Sequence, residues 1–451
     1  MSSKKESFKF SATDCSPIEE KKDYREKFIK YNKYFVDQIC SSVISFSKNS
    51  EKSARSKDEN QFVSFGKDGT LWAGRWVGYD KKESVEVTPR FGYDVIAFML
   101  SEAFSFNAKD SIGGIEKDNG INIMKALIPY IWNQKLSSAN KYGVPRKTVN
   151  IEHFGFSIKG RVEAKKSIIP MHLSNKVFSI SREKQVDSSI AQIICTAYSI
   201  LKKNYSSTPK LSKNSETILN AFKIIPKAKA SSLNKVYKSI RYKSIYLSYK
   251  DIVDFSWQII NNRGINSGSD EEKNSYALFV DMAEIWEIYL RSLLRKSFPK
   301  WNVLLPEETI CEVYKDAFWK RRIIPDIVLE QGNKIIIFDA KWKRMEGKPG
   351  PVNQSDLDRS DFFQIHSYID YFKSHGKDVV AGGLLYPLSG SYNTGATNCY
   401  HLWGENKEKI KFLVDGVYLK ENGNFKESQE AFINRLKPLL DEQHFLRYNN
   451  Q

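Results

Sequence analysis

The sequence predicts an α+β protein of several domains, and three observations predict it. The chain has 451 residues, more than one hydrophobic core usually serves, so two or three domains are expected. Apolar residues make up 41% and aromatic ones 13%, enough for real cores and against wholesale disorder. The apolar spacing switches along the chain between runs of strand type and stripes of helical period.

Three segments follow from that pattern: an N-terminal α+β domain (1–150), a mainly helical basic region (151–270) and a C-terminal domain (271–451). Residues 21–44 place Tyr24, Phe28, Tyr31, Phe35 and Ile39 on one side of an amphipathic helix. Residues 47–60, rich in Ser, Lys and Glu, read as a linker. Strands are expected at 62–65, 71–77 and 85–87, with a turn at Lys67-Asp-Gly69 and breaks at Gly74, Gly78 and the charged run 80–83. A helix is expected over 95–104.

Short strands are read in 151–190, then a helix over 189–201 with Ile190, Ile193, Ile194 and Ala197 at helical spacing. Residues 223–250 contain eight basic residues and no acidic one, interleaved with Tyr237, Tyr242, Tyr246 and Tyr249. Two readings stand for that stretch. Lys235, Lys238, Arg241 and Lys243 contact phosphates while tyrosines stack on bases, or the face is merely solvated and the tyrosines pack inward. Residues 277–298 read as one helix with Phe279, Met282, Trp286, Tyr289 and Leu293 at spacings of three and four, and Pro299 just beyond. Strands are expected over 310–342, 379–386, 400–403 and 410–413, and helices over 362–372 and 428–440.

Composition excludes several function classes. The five cysteines, Cys15, Cys40, Cys195, Cys311 and Cys399, are scattered and never in a CxxC pair, which argues against a disulfide scaffold or a cysteine zinc site and for a reducing cytoplasm. No secretory signal or spanning helix is expected, so no membrane partner. There is no GxxxxGK[ST] run to cradle a nucleoside triphosphate. Seventy Lys and Arg against 53 Asp and Glu leave a net +17, which suits a polyanionic partner.

The segment that carries chemistry is 323–343. Two β-rich runs flank Gln331-Gly-Asn333, so a hairpin is expected. Its second run, Ile335-Ile-Ile-Phe338, has the unbroken apolar character of a central strand. Asp339 and Lys341 then follow two apart, so both leave the same face. Asp326 stands on the neighbouring strand. Mg²⁺ prefers hard oxygen ligands and takes only one or two protein carboxylates, which Asp326 and Asp339 supply, with the Ala340 carbonyl as an extra donor. Mn²⁺ is the expected substitute. A surface ion pair at a strand end is the plain alternative.

These residues resemble a named pattern. Pro325-Asp326 with Asp339-Ala340-Lys341 is similar to the PD-(D/E)xK signature of restriction-endonuclease-like nucleases, whose domain is a mixed sheet flanked by helices. The resemblance implies an acidic metal ligand on the preceding helix, Glu287 or its competitor Glu284. Gln364 and Tyr368 resemble the QxxxY element of RecB-like members and share a helix face. Lys343, Arg344 and Tyr368 are expected to touch DNA.

The chain also resembles the McrC family, the nuclease subunit of modification-dependent restriction systems. The blocks that carry this are Gly69–Tyr79 with Val85–Arg90, Ile158-Lys-Gly-Arg-Val-Glu163, Phe279–Glu287, Ile323–Arg344 and the helix 361–372, in the family's order. The resemblance implies a Mg²⁺-dependent endonuclease that cuts double-stranded DNA in phage defence. It also implies docking on a hexameric AAA+ motor of McrB type, a GTPase or ATPase stimulated through the N-terminal domain, with Arg75, Trp76 and Arg90 in the docking block. An autonomous DNA nuclease and a non-catalytic motor-activating subunit are the competing readings.

Overall fold

The computed structural model describes residues 10–18, 25–35, 61–65, 69–80, 85–104, 120–204, 211–226, 230–261, 277–305, 308–309, 311–312, 322–343, 345–346, 359–389, 397–400, 409–419 and 423–440. The architecture is mixed α/β with several sheets. The chain divides into two compact units: residues 1–124 with 270–451, and residues 125–269. The boundary near 270 falls where it is expected; the other lies at 125 where 150 is expected, and the two end segments form one unit instead of two. The front and back of the chain share a unit because a strand at 277–281 completes a sheet begun by residues 10–88.

In the first unit, β1 (Phe10–Thr13), α1 (Arg25–Tyr34), β2 (Val63–Phe65), β3 (Leu71–Ala73), β4 (Trp76–Asp80), β5 (Val85–Thr88) and α2 (Tyr93–Phe104) follow the short apolar runs. Helix α1 is the described part of the expected 21–44 helix; residues 36–60 lie outside the described ones. Phe28, Tyr31 and Phe35 sit three and four apart and face the core. The Phe35 ring meets Phe62, Trp76 and Phe279 with centroids 4.8, 5.2 and 5.4 Å away. Edge and tilted contacts of that kind add to the burial itself.

The second unit holds α3 (Gly120–Ala139), β6 (Arg146–Gly155), β7 (Arg161–Val162), α4 (Ala164–Ser174), β8 (Val177–Val186), α5 (Ser188–Asn204), α6 (Lys213–Phe222), α7 (Leu233–Ser239) and α8 (Tyr249–Asn261). Strands β6 and β8 pair antiparallel over their whole length, from Arg146 opposite Val186 to Gly155 opposite Val177. The expected short strands are thus one long ladder with a helix inside its connection. Helix α4 contains Pro170, and Ser167 is its one buried side chain, so no apolar stripe announced it. Helix α5 buries Ile190, Ile193, Ile194, Ala197 and Leu201 as its spacing predicts, and packs on α8.

Back in the first unit, β9 (Ala277–Asp281) pairs antiparallel with β4, giving the sheet order β1-β5-β4-β9. The expected helix over 277–298 therefore starts late, as α9 (Met282–Ser297). Asp281 ends the strand and caps the helix: its carboxylate accepts the Ala283 N–H at 3.0 Å. Phe279 of the strand falls in step with the apolar stripe of the helix, so spacing did not separate them.

The second sheet uses β10 (Asn302–Val303), β13 (Ile327–Gln331), β14 (Lys334–Ala340), β15 (Met345–Glu346), β16 (Asp378–Ser389), β17 (Thr397–Tyr400) and β18 (Lys409–Tyr418); β11 (Cys311–Glu312) and β12 (Arg322–Ile323) pair with each other. Its order is β10-β13-β14-β16-β18-β17, with β15 beside the end of β16. The β13–β14 hairpin turns at Gly332, whose φ of +60° suits glycine. Ile335 to Phe338 are fully buried, as a central strand requires. Ile335 and Ile337 pack on Ile365, Tyr368 and Ile369 of α10 (Arg359–Ser374), and α11 (Phe425–Leu440) packs on β18. Gly382 lets α10 come close, since a Cβ there would stand 2.9 Å from Ile369 Cδ1. Among the described residues, no helix is long and apolar enough to cross a membrane.

Candidate active site

The polar end of β14 lies against β13 and α10. Because side chains alternate along a strand, Asp339 and Lys341 continue the face of Ile335 and Ile337 and meet α10. Asp339 is fully buried. Lys341 Nζ stands 2.6 Å from Asp339 Oδ2 and donates to Gln364 Oε1 at 2.8 Å. Neither Asp339 oxygen accepts a well-aligned hydrogen bond, so the short contact is an ion pair with a poor hydrogen-bond angle. Buried carboxylate oxygens without donors are costly unless something else takes them.

Asp326, just before β13, turns its Oδ2 to the Ala340 N–H at 2.8 Å. Burial, then the charge of Asp339, pushes the Asp326 carboxyl well above the usual carboxylate range; Lys341 and the Ala340 N–H offset only part of this. Burial alone would depress the Lys341 ammonium, but Asp339, Asp326 and Asp361 outweigh it and hold its pKa above the ordinary lysine value. Lys341 therefore stays charged. Gln364 Nε2 donates to the Tyr368 hydroxyl at 2.8 Å, and that hydroxyl donates to the Ile324 carbonyl at 3.2 Å. The chain from Ile324 to Lys341 fixes the ammonium from the helix side.

One acid here was not foreseen. Asp361, buried at the start of α10, takes Lys343 Nζ on both oxygens at 2.9 and 2.8 Å, a hydroxyl hydrogen bond from Tyr386 at 3.3 Å, and lies 3.5 Å from Lys341. Its place three residues before Gln364, on the same helix face, was the available signal. The strand end is also braced from the front of the chain. Trp342 Nε1 donates to Asp14 Oδ2 at 2.7 Å, and Asp14 Oδ1 accepts the Arg90 N–H at 2.6 Å. The Arg90 guanidinium lies 4.9 Å from the Trp342 ring centre and donates to the Lys343 carbonyl at 3.1 Å. Nothing in the sequence linked residues so far apart.

Several expected roles change. Tyr368 is buried and anchors Gln364, so it presents no surface to DNA. Trp76 is buried in the aromatic core, donating to the Gln61 carbonyl, and the Arg90 side chain is 7% exposed; neither forms a docking surface. Arg75 pairs with Asp281 at 3.0 Å. Lys343 keeps half its side chain exposed while bound to Asp361. Arg344 lies outside the described residues. Glu284 is buried and Glu287 half-buried on α9, and among the described residues no three His, Cys, Asp or Glu gather to hold a metal. Neither glutamate is brought into a cluster with both aspartates. The donor set that fits a hard cation is Asp326 with Asp339, and both Asp339 oxygens are buried without hydrogen bonds.

Lys235, Lys238, Arg241 and Lys243 belong to the second unit and are exposed. Tyr237 stacks on Trp257 at 4.7 Å and donates to Asp254, and Tyr249 is fully buried, so these two tyrosines pack inward.

Sheet and site together define a mixed α/β protein with a paired-carboxylate and lysine centre at the end of a central hairpin strand. The sequence matches the family model described as the McrBC 5-methylcytosine restriction system component over residues 72–387, and the chain belongs to that family. The resemblance read from the ordered blocks is borne out. Two solved structures are similar. One is the half-complex from a tetradecameric assembly of Thermococcus gammatolerans McrB AAA+ hexamers with bound McrC: 16% identity, 95% of this chain and 99% of that chain covered, TM-score 0.43. The other is the cryo-EM structure of the Thermococcus gammatolerans McrBC complex: 15% identity, 64% and 88% covered, TM-score 0.30. No curated protein matches the chain.

Proposed function

We propose that this restriction-system component is its nuclease subunit, a Mg²⁺-dependent endodeoxyribonuclease with a restriction-endonuclease-like domain acting in the cytoplasm. The observation that carries this is the convergence of Asp326, Asp339 and Lys341 at one strand end, with both Asp339 oxygens buried and free of hydrogen bonds. Asp326 and Asp339 would hold the ion, with the Ala340 carbonyl as a further donor. An ion held there, Mg²⁺ or Mn²⁺, would supply Lewis acidity toward a phosphoryl oxygen and an attacking water. Lys341, kept charged by its acidic neighbours and aimed by Gln364, stabilises negative charge on the phosphate. Asp361 holds Lys343 beside it.

The reading includes a partner, an AAA+ motor hexamer of McrB type that the chain stimulates. Its docking surface, with Trp76 and Arg90 buried, is assigned to the apolar end of the second unit. Phe156, Ile158, Ile169 and Leu173 there are 76, 61, 68 and 80% exposed. Exposed apolar groups in such number mark interaction surfaces.

The test is plasmid cleavage with Mg²⁺ by the full chain and the motor encoded beside it. Asp339→Ala is expected to cut about 10³-fold more slowly or worse. Undiminished cutting by that variant ends the nuclease reading. Robust cutting without any motor makes the chain an autonomous nuclease instead.

A further inference from the structure

The positive charge of this protein is not spread over it. Residues 125–269 hold 25 Lys and Arg against seven Asp and Glu, a net +18, while the whole chain carries +17. The first unit is thus balanced at −1. Charge so segregated gives one unit a strong field and the other almost none.

Within the charged unit, one cavity gathers four cations from two separate stretches, Arg146 and Lys147 from one and Arg241 and Lys243 from the other. It has a volume of about 230 Å³ and lies at the base of the β6–β8 ladder, lined by Arg146, Lys147, Asp187, Arg241, Tyr242 and Lys243 among others. Its one acid is already engaged. Asp187 Oδ1 accepts the Ser189 N–H at 3.0 Å, capping α5, and lies 3.7 Å from Lys147 Nζ. Arg241 is held in place by backbone carbonyls, donating to Lys238 and Ile240 at 3.2 and 3.1 Å, so its orientation is set without loss of charge. Among the described residues, Arg146, Arg241 and Lys243 have no carboxylate partner. Tyr242, whose hydroxyl burial keeps protonated, adds a neutral donor.

We propose that this cavity is a phosphate-binding site and that its occupant is a backbone phosphate of DNA, which makes the second unit the substrate-gathering part of the protein. Three uncompensated cations with a fixed guanidinium match a tetrahedral anion. A polymer is favoured over a free phosphate compound because the cations continue outward. Lys235 and Lys238, exposed and one turn apart on α7, stand immediately before Arg241 in the chain. A strand of phosphates would follow that row, and a single small anion would leave it idle.

The inference rests on DNA being the substrate, so binding is measured apart from cutting. Full-length chain carrying Asp339→Ala is titrated with labelled duplex DNA by fluorescence anisotropy between 50 and 300 mM salt. Adding Arg146→Ala, Arg241→Ala and Lys243→Ala should weaken binding about 10- to 100-fold near 100 mM salt. The log–log salt slope should become shallower by roughly two to three. Arg241→Lys alone should keep most of the affinity, and Lys300→Ala in the neutral unit should change nothing. Circular dichroism checks folding; these side chains are exposed, and Lys243→Glu alone gives a second variant with a larger expected loss than its alanine counterpart. Unchanged affinity and slope in the triple variant overturn the proposal. So does a triple variant that binds DNA normally but loses thermal stabilisation by inorganic phosphate or a nucleoside triphosphate, because the cavity would then take a free phosphate compound. So does normal DNA binding with cutting lost only in the presence of the motor, which would assign the cavity to a protein partner. Cutting by the Asp339→Ala background would instead end the nuclease reading and leave the binding result standing.

Discussion

The two units treat charge in opposite ways. In the nearly neutral unit, several buried acids are each met by a cation: Asp339 by Lys341, Asp361 by Lys343, Asp281 by Arg75, Asp415 by Arg435. In the basic unit, among the described residues, most charges face solvent, and its pairs range from the exposed Arg161 with Glu163 to the more sheltered Lys135 with Asp251. Buried pairs are expensive to desolvate and add little net stability, but they fix geometry to within a hydrogen bond. Exposed charges fix nothing and act at a distance, until salt screens them. The contrast suggests that positioning and gathering of the substrate are separate tasks of separate units.

Substitutions can break or sharpen that contrast. After Asp339→Ala, the largest effect is expected from Lys341→Ala, which removes the ammonium held by Asp339, Asp361 and Gln364. Cleavage should fall 10²- to 10³-fold with DNA affinity unchanged, measured by cleavage kinetics beside anisotropy. An equal loss of affinity would mean that the two tasks are not separate. Next comes Trp342→Phe. It keeps an aromatic ring but strips the donor from buried Asp14 Oδ2, at a cost of about 1–3 kcal/mol. Urea unfolding should show that loss in the first unit's transition and none in the second's.

The smallest effect is a pH dependence. Asp326 has a raised carboxyl pKa in the folded chain, while the unfolded chain releases that proton near pH 4. The folded state then binds the extra proton, so this contribution falls as pH rises from about 4 through the raised value. Metal-free melting temperature should drop by a few degrees from pH 5 to pH 8, less steeply in Asp326→Asn, and Mg²⁺ should recover it at pH 8. An equal drop in that variant assigns the effect to Asp14 or Asp254, which burial also raises.

The hairpin and its charged end were legible because both rest on local rules. An unbroken apolar run gives a central strand, and a spacing of two gives a shared face. Gln364 and Tyr368 were legible for the same reason, at helical spacing. Asp361 obeyed the same rule and was overlooked. The late start of α9 was hidden because Phe279 of β9 continues the three-and-four spacing of Met282, Trp286 and Tyr289, and only the cap at Asp281 separates strand from helix. The joining of residues 10–88 to residues 277–281 leaves no local trace, and neither does the brace from Asp14 and Arg90 to Trp342. These contacts exist only once the chain has folded back on itself. Trp76 and Arg90 were assigned by resemblance to a surface role, and burial reverses it.

The pairing of β4 with β9 also sets a schedule. About 200 residues separate the two strands, so the growing chain exposes the first long before the second exists. At ~5–20 residues per second that interval is roughly 10–40 s. The aromatic core around Phe35 and Trp76 waits through it without Phe279, while the intervening basic unit, whose contacts are its own, can already close. A chain that starts at residue 125 would therefore carry every residue of the carboxylate pair and still lack the wall that braces it.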